Sequence, residues 1–238
     1  MDNGSESVHA ERLARALPGR ARLVVSDRNR GVAGGRNLGL QAASGRYLAI
    51  LDDDCIVEAD PFGVLAEYLD GHPDVGLVGP RILGLGGQLQ LSCRRIPGVR
   101  SMLFNRPPLS WVRPEHPEVR RYLMADASHE SDMEVDYVLG ACQVFRREVW
   151  ESLGPLDEGI FYGPEDADWC LRIRDAGWRV HYVPEATVWH HYRRIAAANP
   201  FSRHQVAQIR GLARFFYRNR HRLARHAPEQ NPLGWLPW

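Results

Sequence analysis

The chain has 238 residues, 44% of them hydrophobic and 25% charged, with a formal net charge of +1. That is the composition of an ordinary soluble globular protein and excludes disordered, collagen-like and small disulfide-stapled classes. A near-zero net charge gives no reason to expect a nucleic-acid partner, and a chain of this length buries roughly 70–75% of the surface its unfolded form exposes.

The four cysteines (Cys55, Cys93, Cys142, Cys170) form no C-x-x-C pair and read as reduced packing residues. All 30 basic residues are arginine, which points to base composition rather than mechanism. The first twenty residues lack a basic start followed by an apolar run, and nowhere do 18 apolar residues follow one another. The expectation is a cytoplasmic protein without a spanning helix.

Val8–Leu17 (VHAERLARAL) reads as a helix with Val8, Leu13 and Leu17 near one face, ended by Pro18-Gly19. Arg22–Ser26 reads as a strand, Val32–Ala43 as a helix, and Arg46–Leu51 (RYLAIL) as a buried strand running into Asp52-Asp53-Asp54. Continuous apolar strands alternating with helices predict a parallel sheet covered on both faces, hence class α/β. Asp60–Asp70 follows as a helix opened by Pro61, then a strand at Gly76–Gly79.

Residues 84 to 133 are so punctuated by glycine and proline that a long structured loop is expected. Beyond it, Glu134–Phe145 reads as one strand, Glu148–Leu153 and Glu165–Ala176 as helices, and Arg179–Val183 and Thr187–His191 as two short strands. From Ser202 to His226 an amphipathic helix is predicted, with Ile209, Leu212, Ala213, Phe216 and Leu223 facing one way and seven arginines filling the rest. Two readings of its basic face stay open: a solvated surface, or contact with an anionic bilayer at about 1 kcal/mol per basic residue.

Three groups of residues could carry chemistry. Asp52-Asp53-Asp54 stands at the carboxyl end of a buried strand, where open α/β sheets place ligands. Alternation of side chains points Asp52 and Asp54 the same way, a pair of oxygen donors suited to a hard divalent ion that also holds a diphosphate; the plain alternative is a solvated acidic turn. Glu165, Asp166 and Asp168 open a helix, where acids complement the dipole at about 0.3–1 kcal/mol each or where one of them acts as general base. His190 and His191 end a strand and face opposite sides; a neutral imidazole could join carboxylates around a metal.

Together these stretches resemble family 2 glycosyltransferases of the GT-A type, particularly the rhamnosyltransferase-like branch. The resemblance is carried by Asn29–Leu40 (NRGVAGGRNLGL), Gly45–Asp54 (GRYLAILDDD), Val75–Leu83 (VGLVGPRIL), Gly140–Arg147 (GACQVFRR) and Phe161–Arg172 (FYGPEDADWCLR), continuing to His190, in the family's order over residues 2 to about 192. It implies a GT-A-like nucleotide-diphospho-sugar transferase fold, a mostly parallel sheet flanked by helices. Residues 1–192 would form the catalytic domain and 193–238 a basic amphipathic helical extension.

The resemblance also assigns roles. Asp52 and Asp53 of the D-x-D element, with Arg36, Asn37 and Asp2, would bind the donor; Asp54 and His190 (or His191) would hold Mg²⁺ or Mn²⁺; Asp166 of the Glu165-Asp166 pair would be the catalytic base. The implied reaction is inverting transfer from a nucleoside-diphosphate sugar to a saccharide or lipid-linked acceptor in cell-surface glycoconjugate synthesis, with residues 84 to 133 bordering the acceptor. The expected setting is the cytoplasm, at the inner face of the plasma membrane if the basic face of residues 202–226 contacts the bilayer.

One departure stands out. Family members begin with a strand, a helix and a second strand that this chain lacks, which predicts sheet edges open in mid-sheet and places Asp2 at a frayed terminus. The competing expectation is therefore a truncated, non-catalytic remnant that binds nucleotide or a partner.

Overall fold

A computed structural model describes residues 1–105, 109–112, 115–191 and 202–226. Two helices, α1 (Ser7–Ala16) and α2 (Gly31–Ala42), precede strand β1 (Tyr47–Leu51) and the short β2 (Cys55–Ile56). Helix α3 (Pro61–Gly71) starts where the Asp60 side chain accepts the Gly63 N–H at 2.9 Å and Pro61 needs no hydrogen bond of its own. It leads into β3 (Val75–Leu83), whose residues are almost all buried.

The segment expected as a loop holds short elements: β4 (Leu89–Gln90), β5 (Cys93–Arg94), α4 (Val99–Phe104), α5 (Leu109–Val112) and α6 (Pro117–Tyr122). One of its prolines starts a helix rather than forbidding it: Pro117 occupies the first turn of α6, beside an N-cap at His116. The single strand expected at Glu134–Phe145 is three pieces: β6 (Met133–Glu134), β7 (Tyr137–Val138) and β8 (Cys142–Arg146). The break at residues 139–141 brings Gly140 to the site described below.

Helices α7 (Arg147–Leu153) and α8 (Glu165–Asp175) follow, the latter entered through a cis Gly163-Pro164 peptide. Arg179–Val183 and Thr187–His191 join as one strand, β9 (Arg179–His190), because a register shift between its pairings Pro80↔Val183 and Arg81↔Thr187 absorbs residues 184–186. Helix α9 (Arg203–His226) closes the described chain.

The main sheet runs β1-β8-β3-β9-β2, with β4 beside β3 and β6 beside β9; β5 and β7 form a separate ribbon. The class is α/β as expected, but the sheet is not mostly parallel. Only β3 and β9 run parallel, and β1·β8, β8·β3, β9·β2, β3·β4 and β6·β9 are antiparallel. Burial on both faces, which produces continuous apolar strands, is supplied here by helices on an antiparallel-rich sheet. On one face Leu65 and Leu69 of α3 pack with Val75, Val78, Val144 and Val183; on the opposite face Leu48, Leu77, Phe145 and Tyr182 pack with Ala33 and Leu40 of α2, Trp169 and Ile173 of α8 and Leu212 and Phe215 of α9 in the larger core.

The amino-terminal part departs most from expectation. Arg22–Ser26 contributes one parallel bridge, Asp2↔Val25, in place of a strand. Asp2 is nonetheless buried and not frayed: its N–H donates to Val24 O at 2.8 Å, its carbonyl accepts from Ser26 N–H at 2.9 Å, and its carboxylate accepts from Ser5 N–H at 3.2 Å. No residue of α1 is buried, so Val8 and Leu13 face outward rather than forming a packed stripe. Strand β1 lies at the sheet edge.

The carboxyl-terminal helix packs on α8 and buries Gln205, Gly211, Leu212, Phe215 and Asn219. Ile209 and Ala213, expected inward, are exposed. The helix rotates this way because Gly211 meets the Gly163 carbonyl, where a Cβ would come within 2.2 Å, and because Asn219 donates to the Asp168 carboxylate at 2.7 Å.

Candidate active site

A cavity of about 720 Å³ opens over the carboxyl end of β1, a volume suited to a ligand of drug or nucleotide size. Strand β1 delivers Asp52, Asp53 and Asp54 to it, the start of α8 delivers Glu165 and Asp166, the end of β9 delivers His190, and α2 delivers Arg36. These seven site residues read from the sequence therefore share one cavity.

Arg36 ties two of those elements together. Its Nη1 donates to Glu165 Oε1 at 2.9 Å, and its Nη2 donates to Asp52 Oδ1 and to the Gly140 carbonyl, both at 2.8 Å. Gly140 is required by proximity, since a Cβ there would stand 2.3 Å from Arg36 Nη1. Glu165 is buried and its other oxygen has no hydrogen-bond partner. Burial pushes its carboxyl up to about 7 against the opposing pull of Arg36. Glu165 thus spaces and orients Arg36 and Asp52 from inside the protein.

Asp166, the next residue, is partly exposed in the cavity. Its Oδ2 accepts from Gly140 N–H at 3.1 Å and its Oδ1 from Ala167 N–H at 2.8 Å, which leaves lone pairs on both oxygens and fixes the plane of the carboxylate. Asp168 turns away into the core, accepting from Arg172 Nε at 3.2 Å and from Asn219. The three acids of this helix start have three different surroundings, more than a shared dipole effect requires.

At the other end of the acidic run, Asp54 Oδ1 lies 3.2 Å from His190 Nε2. His190 is buried, and its Nδ1 lies 3.0 Å from Gln90 Oε1, an atom that only accepts, so Nδ1–H donates there and Nε2 is the ring nitrogen that faces Asp54. Gln90 Nε2 completes the clamp by donating to the His190 carbonyl at 2.8 Å. An imidazole nitrogen beside a carboxylate oxygen is a pair that a divalent cation can use, and a hydrogen bond behind the imidazole is the usual support of such a ligand. His191, the other candidate, is exposed and contributes only its backbone N–H, to the Asp54 carbonyl at 2.9 Å.

Cys55 Sγ belongs to the same cluster with Asp54 and His190, all within 4.8 Å. Burial and the neighbouring carboxylates push its thiol up to about 12, and it donates to the Ala141 carbonyl at 3.5 Å. A neutral thiol is a poor ligand, so Asp54 and His190 are the residues that fit Mg²⁺ or Mn²⁺, with remaining positions for phosphate oxygens.

Two expected donor-binding residues lie elsewhere. Asn37 is buried and wholly engaged with the loop after α7: its Nδ2 donates to Leu156 O and Glu158 Oε1, each at 3.0 Å, and its Oδ1 accepts from Leu156 N–H at 2.9 Å. Asp2 is held at the Val25 bridge; neither lines the cavity. Gln90 and Gly140 were legible as letters but not as site residues, since neither carries charge and their partners are 100 and 104 positions distant.

The fold is that of GT-A glycosyltransferases. The crystal structure of GalNAc-T7 with UDP, GalNAc and Mn²⁺ matches over 99% of this chain and 44% of that one (TM-score 0.63, 21% identity). A mannosyltransferase from Pyrobaculum calidifontis, solved with GDP-Man and Mn²⁺, matches over 92% of this chain and 53% of that one (TM-score 0.56, 21% identity). Residues 2–205 match the family described as "Glycosyltransferase like family 2", and the chain belongs to that family.

Curated relatives include the N-acetylglucosaminyl-diphospho-decaprenol L-rhamnosyltransferase of Mycobacterium tuberculosis, 28% identical over 188 residues (71% of this chain, 60% of the relative). The pre-mycofactocin glycosyltransferase of the same organism is 32% identical over 180 residues (69% of this chain, 31% of the relative). The chain thus spans less than two thirds of the length of either.

Proposed function

We propose that the protein is an inverting glycosyltransferase that moves a sugar from a nucleoside diphosphate to a hydroxyl of a saccharide or lipid-linked acceptor, in the synthesis of cell-surface glycoconjugates. The observation that carries this reading is the presence, on one cavity, of a cation-binding pair (Asp54, His190) and a separately oriented carboxylate (Asp166).

In this reading Asp54 and His190 hold Mg²⁺ or Mn²⁺, which supplies charge stabilisation to the departing diphosphate. Asp52 and Asp53 face the donor, and Arg36, neutralised by Glu165 and Asp52, keeps Asp52 in place. Asp166 accepts the proton of the acceptor hydroxyl as its oxygen bonds to the anomeric carbon; the bond from that carbon to the diphosphate oxygen breaks with its electron pair, on the opposite face. One displacement inverts the anomeric centre.

Among the described residues no helix is long and apolar enough to cross a membrane. In this reading a bilayer contact would fall on the outer face of α9, where Val206, Ile209 and Tyr217 are exposed beside Arg203, Arg210 and Arg220, and the enzyme works in the cytoplasm, at the inner face of the plasma membrane.

Two variants test the division of labour. Asp166→Asn is expected to lower sugar transfer at least 10²-fold while nucleotide affinity, measured by titration calorimetry with Mn²⁺, stays within about twofold. Asp54→Ala is expected to abolish the Mn²⁺ dependence of that affinity. Equal loss of binding in both variants contradicts the assignment, and wild-type protein that binds no nucleoside diphosphate with Mn²⁺ contradicts the function.

A further inference from the structure

Gln90 lies outside the cavity yet holds one of its residues from behind, and local structure explains how it arrives there. Strand β3 ends at Leu83, and the chain reverses through a tight turn in which Gly84 N–H donates to the Gln88 carbonyl and Gly87 N–H to the Gly84 carbonyl, both at 2.8 Å. Gly87 sits at φ +80°, a conformation that residues with a side chain rarely adopt. The reversal pairs Gln90 with Ile82, and Ile82 pairs on its other side with Val188 of β9. Paired residues share a face of the sheet, as do alternate residues along a strand, so Gln90, Ile82, Val188 and His190 all project from one face.

On that face the Gln90 side chain reaches past β3 to His190 and meets it twice. Its Oε1 accepts from the His190 Nδ1–H at 3.0 Å, and its Nε2 donates to the His190 carbonyl at 2.8 Å. From the other side the main chain of His190 pairs with Cys55, and the next N–H donates to the Asp54 carbonyl at 2.9 Å. Backbone pairing alone fixes the Cα of His190 and leaves its ring to turn among rotamers. The Nδ1 contact fixes that rotation and with it the place of Nε2, 3.2 Å from Asp54 Oδ1. His190 lines the cavity and Gln90 does not.

We infer that Gln90 is a positioning residue for the divalent cation. It is not itself a ligand; it sets the angle at which the His190 imidazole meets Asp54, so that the cation affinity of a pair on the cavity depends on a hairpin outside it. An amide suits this task because it accepts at the ring and donates at the carbonyl at once, whereas a carboxylate keeps only the first bond and an apolar side chain neither. The inference rests on the glycosyltransferase reading, which supplies the cation.

The test follows Mn²⁺ binding to the full chain by electron paramagnetic resonance of the free ion, with UDP or GDP present as the probe diphosphate. Gln90→Met, close in size and unable to make either bond, is expected to weaken Mn²⁺ binding about tenfold or more, the usual cost of losing the hydrogen bond behind a metal-bound imidazole. Gln90→Glu, which keeps an acceptor for Nδ1–H, is expected to recover most of that loss. His190→Ala should itself weaken binding, and adding Gln90→Met to it should cost nothing more, because a residue that acts through the imidazole has no effect once the imidazole is gone.

Unaltered affinity in Gln90→Met, equal loss in Gln90→Met and Gln90→Glu, or losses that add in the double variant each overturns the inference. The double variant separates positioning from a merely structural role, since a hairpin disturbed for other reasons weakens binding with or without His190. Circular dichroism checks the fold of each variant, and Gln90→Ala takes the place of Gln90→Met where the latter does not fold. Wild-type protein that takes up no Mn²⁺ with either diphosphate overturns the function proposed above together with this inference; wild-type binding with any of the variant results just named overturns the positioning alone.

Discussion

Glu165 lines the cavity and is tied to Arg36 by one oxygen, while the other has no hydrogen-bond partner. Its folded-state value of about 7, raised by burial from an ordinary 4.5, means that the folded protein holds this proton more tightly than the unfolded chain. The resulting stabilisation is fully present below about pH 4.5 and is lost as pH rises through 7. In metal-free protein, wild type should therefore lose on the order of 3 kcal/mol relative to Glu165→Gln between pH 4.5 and 8. Urea unfolding of both proteins across that range measures it; parallel stability curves would show that folding does not raise the Glu165 carboxyl above its unfolded value. Asp52, Asp53, Asp54, Glu165, Asp166 and His190 were legible in the sequence because charge stands out beside an apolar strand or at a helix start. Gln90 and Gly140 were not, because an amide and a missing side chain act only through partners the chain brings from afar. For Asn37 the motif pointed to the donor, while its three hydrogen bonds go to residues 156 and 158.

Elements with strong periodicity and caps, such as α3 and α8, were readable to within about a residue, whereas β9 and the pieces of β6–β8 were not. A bulge in a long strand reads locally as two short ones, and a turn at Leu139-Gly140-Ala141 is hidden in an unbroken apolar run. Pairing direction was likewise invisible, because burial on both faces gives the same residues whether neighbours run parallel or not. The orientation of α9 depended on one polar contact that hydrophobic patterning cannot register. Asn219 is fully buried, donates to Asp168 and to the Phe215 carbonyl, and accepts from Arg222 Nη1 at 3.2 Å. Asn219→Leu leaves the Asp168 carboxylate with Arg172 but without its contact to α9, a loss of about 1.5–3 kcal/mol for a hydrogen bond to a buried charge. The expected result is a lower urea midpoint together with faster proteolysis within residues 203–226. Unchanged stability would mean that apolar packing alone sets the docking of α9.

Across the molecule, charge is segregated although the total is only +1. Five carboxylates line the cavity, while α9 carries seven arginines and no acid. Four of the seven are bound to the domain: Arg214 and Arg218 to Asp157, Arg222 and Arg225 to Asp175. Arg203 and Arg210 lie on the outward side with Val206, Ile209 and the 73% exposed Tyr217, whose ring and carbonyl hold Arg220. The inward side of the same helix supplies Gln208 and Leu212 to the cavity, so a surface that captures α9 also sets the orientation of the cavity relative to it. Anionic lipid attracts each nearby arginine by about 1 kcal/mol, and partial insertion of the apolar side chains adds to that attraction. The protein should therefore sediment with phosphatidylglycerol vesicles at low ionic strength, be released as salt is raised, and ignore phosphatidylcholine vesicles. Ile209→Asp should weaken sedimentation at every salt concentration, and Arg210→Gln mainly at low salt, where screening is least. Retention that is indifferent to both salt and lipid charge would exclude an electrostatic dock and leave the basic face of α9 to solvent.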